Sequence, residues 1–282
     1  MMTNYNDPIK RKRIRIGDIS ISYLIREGTS PDCTVLFIHG FPFNKNSWIP
    51  QLTDLAPGYT GIAVDVRGHG NSTRGHGFFS IDVFAKDLLV FMQKLGIEKA
   101  VLCGVSMGGY IALRAHEIRP EAVAGLILSD THAFADSNAA KQKRFDTIQS
   151  VLKNGKRAFS IGFVNSVFSP KSIAENPEAV NLIKSSIRRN IESSICATLL
   201  ALASRTDMTD SLKTIRVPAL VIRGAADAIT PAEQARALAA GIADAEYLEI
   251  PGCGHLPNLE NAAVFNNAMN AFLEALNVPR TV

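Results

Sequence analysis

The sequence predicts an α/β protein: a doubly wound, mostly parallel sheet with an inserted helical cap. Three observations predict it. Short apolar runs recur at 35–38, 61–64, 101–103, 126–128 and 219–222, with a weaker one at 247–250. Stretches with apolar residues at helical spacing lie between them. One long segment, residues 132–211, breaks the alternation and carries helical patterns alone. Continuous apolar runs suit strands buried on both faces, as in a parallel sheet. Strands that alternate with helices imply the doubly wound arrangement.

Along the chain, Lys10-Arg11-Lys12-Arg13 leads into Ile14, Ile16, Ile19, Ile21, Tyr23 and Ile25, with Gly17-Asp18 at a turn. This reads as a hairpin with a charged outer face, a common edge-strand device. The net charge is only +4 and no second basic stripe follows, so nucleic acid is not expected as a partner. Ser80 caps a helix whose apolar face is Ile81, Phe84, Leu88, Phe91, Met92 and Leu95, and Gly96 stops it. Helical stretches follow at 139–152, 156–167, 177–189 and 192–203, punctuated by Gly155, Pro170 and Pro177. Thr230-Pro231-Ala232-Glu233 reads as a capping box with Pro at the first helical position. Phe265, Met269, Phe272 and Leu276 mark the last helix. The expected division is a core of residues 1–131 and 212–282 with a cap of residues 132–211. A cap over the carboxyl edge of the sheet roofs a pocket where open α/β sheets bind ligands.

Composition narrows the class. A chain of 282 residues with 46% hydrophobic content supplies one large core. The first residues, MMTNYNDPIKRKRIRI, lack the apolar stretch of a signal peptide. No run approaches membrane-spanning length, so no membrane is expected as a partner. Cys33, Cys103, Cys196 and Cys253 are scattered, with no C-x-x-C pair, which argues against zinc and for reduced thiols in a cytoplasm.

The chemistry centres on Gly104-Val105-Ser106-Met107-Gly108-Gly109, directly after an apolar run. G-x-S-x-G arises by chance in about one chain in ten of this length, with Gly and Ser each about 7% of residues. The motif therefore needs partners. A serine hydroxyl is a poor nucleophile until a base takes its proton, and that base needs a carboxylate to orient it. His255 lies in the Gly-rich loop after the last strand, and Asp227 in the loop after the strand before it. Ser106, Asp227 and His255 each follow a predicted strand, so all three emerge on one edge of a parallel sheet. Oxyanion donors are expected from the amide of Met107, at a helix start, and the amide of Phe41, where Gly40 permits the turn. His39 is read as holding that loop rather than as a second base. Asp130 also ends a strand and is the competing acid. It is assigned instead to accepting backbone N–H groups where the cap leaves the core.

Together the His39-Gly40-Phe41 loop, Asp65-Val66-Arg67-Gly68-His69-Gly70-Asn71-Ser72, the Ser106 elbow and the Asp227 and His255 loops resemble the α/β-hydrolase superfamily over nearly the whole chain. The order Ser, acid, His matches that fold. Within it the chain looks most like small capped serine esterases, akin to enol-lactonases, cofactor-free haloperoxidases and C–C bond hydrolases. The resemblance implies that the segment 65–72 is structural, with His69 packing, and implies no metal and no organic cofactor. Relatives that cleave epoxides or carbon–halogen bonds place aspartate at the elbow, and here the position is Ser106.

The expected function is cleavage of a small carboxylic ester or lactone through an acyl-enzyme. C–C (β-diketone) hydrolysis, perhydrolysis and a ligand-receptor role stand as alternatives. The expected partner is that small-molecule substrate, and self-association into a homo-oligomer is compatible with the sequence. Phe134, Phe159, Phe163, Phe168 and Leu199 are candidates to line an apolar pocket, with packing among cap helices favoured for most of them. Arg144, Arg157, Arg188 and Arg189 read as a solvated face rather than an anion site.

Overall fold

Runs of Val, Ile, Leu and Phe with few charges favour strands that two layers of helices can cover. The computed structural model describes residues 9–30 and 34–277. Its strands are β1 (Ile9–Ile16), β2 (Ile19–Arg26), β3 (Thr34–Ile38), β4 (Thr60–Val64), β5 (Ala100–Val105), β6 (Val123–Ser129), β7 (Ala219–Gly224) and β8 (Ala245–Ile250). They form one sheet in the order β1-β2-β4-β3-β5-β6-β7-β8. β2 pairs antiparallel with both β1 and β4. The pairings from β4 across to β8 are all parallel. The hairpin turns at Gly17-Asp18, with Ile16 opposite Ile19, and its charged strand is the sheet edge.

The helices are α1 (Ile49–Asp54), α2 (Ile81–Lys94), α3 (Met107–Ile118), α4 (Asn138–Val167), α5 (Pro170–Glu175), α6 (Pro177–Arg189), α7 (Glu192–Ala203), α8 (Ala232–Gly241), α9 (Pro257–Glu260) and α10 (Ala262–Asn277). Side chains alternate across a strand, so each strand feeds two cores. Leu36, Ile38, Leu102, Leu126 and Leu128 pack with α2, α3 and α8 through Phe84, Leu88, Ile111 and Leu238. Val35, Phe37, Val101, Ile127, Leu220 and Ile222 pack on the other face with Leu52 of α1 and with Phe265, Met269 and Leu273 of α10. Both faces are covered, as a doubly wound sheet requires.

The local signals act as read, with one exception. The Ser80 hydroxyl accepts from the Val83 amide, and Gly96 adopts φ 68 after α2. α4 is interrupted at Gly155 (φ 77), while Pro170 and Pro177 open α5 and α6. The capping box expected at 230–233 does not form. Pro231 sits at the cap of α8, and the Thr230 hydroxyl donates to the Asp130 carbonyl at 3.0 Å instead. That carbonyl is buried and needs a donor, so it outcompetes the exposed helix end.

Between β6 and β7 the chain is helical, from α4 through α7. This segment docks on the loops at the carboxyl edge of the sheet. The Asn190 side chain donates to the Pro42 carbonyl at 2.7 Å and accepts from the Gly70 amide at 2.9 Å. The Val167 carbonyl accepts from the His255 amide at 2.8 Å. Among the described residues no helix is long and apolar enough to cross a membrane. Cys103, Cys196 and Cys253 are free thiols, and Cys33 lies outside the described residues.

Candidate active site

The elbow puts a side chain where backbone sterics allow almost none. Ser106 joins β5 to α3 at φ 55, ψ −116. Among the described non-glycine residues, only Ser106 and Asp130 (φ 47) have positive φ. Such conformations cost about 1–3 kcal/mol and persist where the surroundings enforce them. The enforcement is close packing. A Cβ on Gly104 would lie 2.3 Å from the Gly108 backbone, and one on Gly108 would lie 2.1 Å from the Ile38 carbonyl oxygen. Two hydrogen bonds pin the turn: the Ser106 amide donates to the Ser129 carbonyl at 2.8 Å, and the Thr131 hydroxyl donates to the Ser106 carbonyl at 2.9 Å.

His255 and Asp227 meet in the loops that follow β8 and β7. His255 Nδ1–H donates to Asp227 Oδ2 at 2.8 Å, and both side chains are buried. That bond leaves Nε2 with its lone pair free, the tautomer a general base requires. Burial pulls the His255 pKa down, but the Asp227 charge and hydrogen bond outweigh it and raise the pKa above the ordinary histidine value. Asp227 is held below the usual carboxylate value despite burial, because the charge of His255 and its hydrogen bond favour the anion. Its Oδ1 accepts from the Ile229 amide at 2.8 Å. Ser106 Oγ has no hydrogen bond to His255 among the described contacts. Bonds between nucleophile and base are commonly loose until substrate is bound.

Arg223, at the end of β7, is a residue that sequence reasoning misses. Its guanidinium donates to the carbonyls of Asp227 (2.9 Å), Thr230 (3.1 Å) and Ala225 (3.3 Å) and pairs with Glu249 at 3.1 Å. It thus fixes the loop that carries Asp227. Its one sequence signal is a cation closing an otherwise apolar buried strand.

The 39–41 loop abuts the elbow: a Cβ on Gly40 would lie 3.2 Å from Ser106 Cβ. The amides of Phe41 and Met107 have no protein acceptor among the described residues. His39 holds the loop. Its Nδ1 lies 2.9 Å from the Gly40 carbonyl and its Nε2 accepts from the Val66 amide at 3.1 Å. Burial pushes its pKa down to about 4. His69 packs 5.3 Å from the His39 ring and is pushed down to about 3, chiefly by burial. A pair absent from the sequence reading locks both loops: Lys45 donates to Asp65 from its amide (2.8 Å) and its ammonium, and both side chains are buried.

The pocket candidates separate. Phe159 and Phe163 lie over Phe41, at 6.2 and 5.8 Å between ring centroids. Phe168 and Leu199 are buried in the two cores. Phe134 stacks 6.0 Å from His132, and its carbonyl accepts from Arg205. Arg144 pairs with Asp136 at 3.0 Å, and Arg188 donates to Ser160.

Comparisons with known proteins agree with this architecture. The family model for the alpha/beta hydrolase fold matches residues 34–262. The chain is 27% identical to 3-oxoadipate enol-lactonase 2 of Acinetobacter baylyi, over 92% of this chain and 95% of that one. Among solved structures, a thermophilic esterase from Thermogutta terrifontis superposes with a TM-score of 0.87 at 30% identity, covering 95% of this chain and 100% of its own. The enol-lactonase from Burkholderia xenovorans gives 0.86 at 25% identity, covering 93% and 100%.

Proposed function

The chain belongs to the α/β-hydrolase fold family, and from that premise we propose that it is a serine hydrolase of a small carboxylic ester or lactone. The observation that carries the reading is the 2.8 Å bond between His255 Nδ1 and Asp227 at the edge where Ser106 is held at φ 55. The names of the esterase and enol-lactonase relatives support the same class.

In this reading Ser106 Oγ attacks the carbonyl carbon as His255 Nε2 takes its proton. The amides of Phe41 and Met107 receive the oxyanion. When the tetrahedral adduct collapses, the C–O bond to the leaving group breaks and His255 gives it the proton. Water then attacks the acyl-enzyme with His255 as base, and Ser106 is restored. Asp227 keeps the imidazole in its Nδ1–H form and stabilises the imidazolium. Residues 132–211 act as a cap over a core of 1–131 and 212–282, and Phe159 and Phe163 present an apolar wall beside Phe41. That wall favours a small apolar acyl group.

The test is a screen of p-nitrophenyl esters, lactones and β-diketones, with acetate plus peroxide as a further arm and Ser106→Ala as blank. Turnover of esters or lactones that vanishes in the blank is expected. Turnover of diketones alone, or ester turnover that survives in Ser106→Ala, would overturn the proposal.

A further inference from the structure

Asp130 is a second carboxyl group at the site, and no step assigned above uses it. It is fully buried, at the end of β6, in a left-handed conformation (φ 47). Oδ1 accepts from the Gly224 amide at 2.9 Å, and Oδ2 accepts from the Ser129 hydroxyl at 2.6 Å. Asp130 lies with Asp227 and His255 in one cluster, in which one carboxylate oxygen of each acid and one ring nitrogen of the histidine are within 4.8 Å of one another. That cluster holds two carboxyl groups and one imidazole. The groups facing Asp130 are Ser129 on its own strand, Asp227 from the loop after β7, and His255 and Cys253 from the loop after β8. His255 is the one group among them that can be cationic, and it is hydrogen-bonded to Asp227.

Two carboxylates this close in a buried site cannot both stay ionised against one imidazole. Asp227 holds the charge, because it has the 2.8 Å bond from His255 and the Ile229 amide. We propose that Asp130 is a neutral carboxylic acid whose O–H donates to Asp227, making it a positioning residue that acts through Asp227 on His255. Oδ1 accepts from the Gly224 amide and Oδ2 from the Ser129 hydroxyl, and a protonated carboxyl oxygen keeps acceptor capacity, so either bond is compatible with an O–H directed at Asp227. Burial and the Asp227 charge raise the Asp130 pKa, and a hydrogen bond from Asp130 helps to hold Asp227 down. The result is a chain, Asp130–H to Asp227 to His255, in which the outer acid fixes the carboxylate and tempers its pull on the imidazolium. The Thr230 hydroxyl, drawn from its helix cap to the Asp130 carbonyl, holds the backbone of this acid in place.

This inference rests on the Ser106–Asp227–His255 reading, and its test separates the two. Infrared spectra of the wild-type protein with isotope-labelled aspartate should show a carboxylic-acid C=O band at neutral pH that disappears in Asp130→Asn. Asparagine carries no charge and keeps a donor. Asp130→Asn should therefore retain kcat within a few-fold, with the acid limb of its pH–rate profile unmoved. Asp130→Ala should lose about ten- to hundredfold in kcat at unchanged KM, the size of one hydrogen bond to a charged group. Its acid limb should move up, because an untempered Asp227 stabilises the imidazolium more. Absence of the acid band, or an acid limb that moves down in Asp130→Asn, would show that Asp130 is ionised and overturn the inference. A wild-type protein without esterase activity would sink the triad reading instead, and the infrared band would still decide the protonation of Asp130.

Discussion

Asp227 and Asp130 are both buried acids at one sheet edge, and their hydrogen bonds separate them: only Asp227 bonds to His255. Asp227→Asn should lose on the order of 10⁴ in kcat, the scale of the same change in a serine protease. Circular dichroism should show the fold intact, and an active Asp227→Asn enzyme would remove Asp227 from the mechanism. His255 must be neutral to act as base, and its pKa is raised from 6.5. The acid limb of kcat/KM should accordingly fall above pH 6.5 rather than below it, as pH–rate measurements on one good ester would show. Ser106, Asp227 and His255 stand out as candidates in the sequence because each is a reactive residue type in the turn or loop that follows an apolar run, and the structure brings Asp227 and His255 together. Arg223 and Lys45 do not. Arg223 shows in the sequence only as a cation in an apolar strand, and the backbone carbonyls it binds are not written there, while Lys45 pairs with Asp65 across a loop.

Among the elements, periodicity and punctuation agree for α2, α6 and α7, and these are the helices the sequence marks most closely. The 230–233 cap misleads because its threonine is claimed by a carbonyl from another strand, a tertiary contact that local pattern does not contain. The elbow glycines show the reverse: a local motif whose reason is tertiary. Gly108→Ala drives a Cβ to 2.1 Å from the Ile38 carbonyl oxygen, backbone against backbone, so no side chain can swing away. It should cost about 3 kcal/mol or more. At Gly162, inside α4, an added Cβ would meet nothing within 4 Å, so Gly162→Ala should be neutral or stabilise by about 0.5–1 kcal/mol. Urea midpoints of the two variants test the contrast, and equal effects would contradict it.

The buried histidines give the whole molecule a pH signature. His39 and His69 are held near 4 and 3, chiefly by burial, against 6.5 for an ordinary histidine. Both are neutral in the fold and take protons more readily in the unfolded chain. Their contribution is therefore complete above pH 6.5 and is lost as pH falls toward 4. Each is worth on the order of 3 kcal/mol over that window. His132, lowered to about 4 by burial and by Arg205, adds in the same direction. Asp130 and His255, both raised, work the other way and offset part of this loss. The net expectation is a loss of a few kcal/mol between neutral and mildly acid pH. A urea midpoint that is lower under acid conditions fits, and one that is unchanged or higher would contradict it.

The central claim is that Ser106 is the nucleophile, and covalent labelling by an organophosphonate tests it most directly. The intact mass should rise by one phosphonyl group, with the adduct on Ser106, and Ser106→Ala should remain unlabelled. A wild-type protein that stays unmodified, or a Ser106→Ala protein that labels as fast as wild type, would contradict the account.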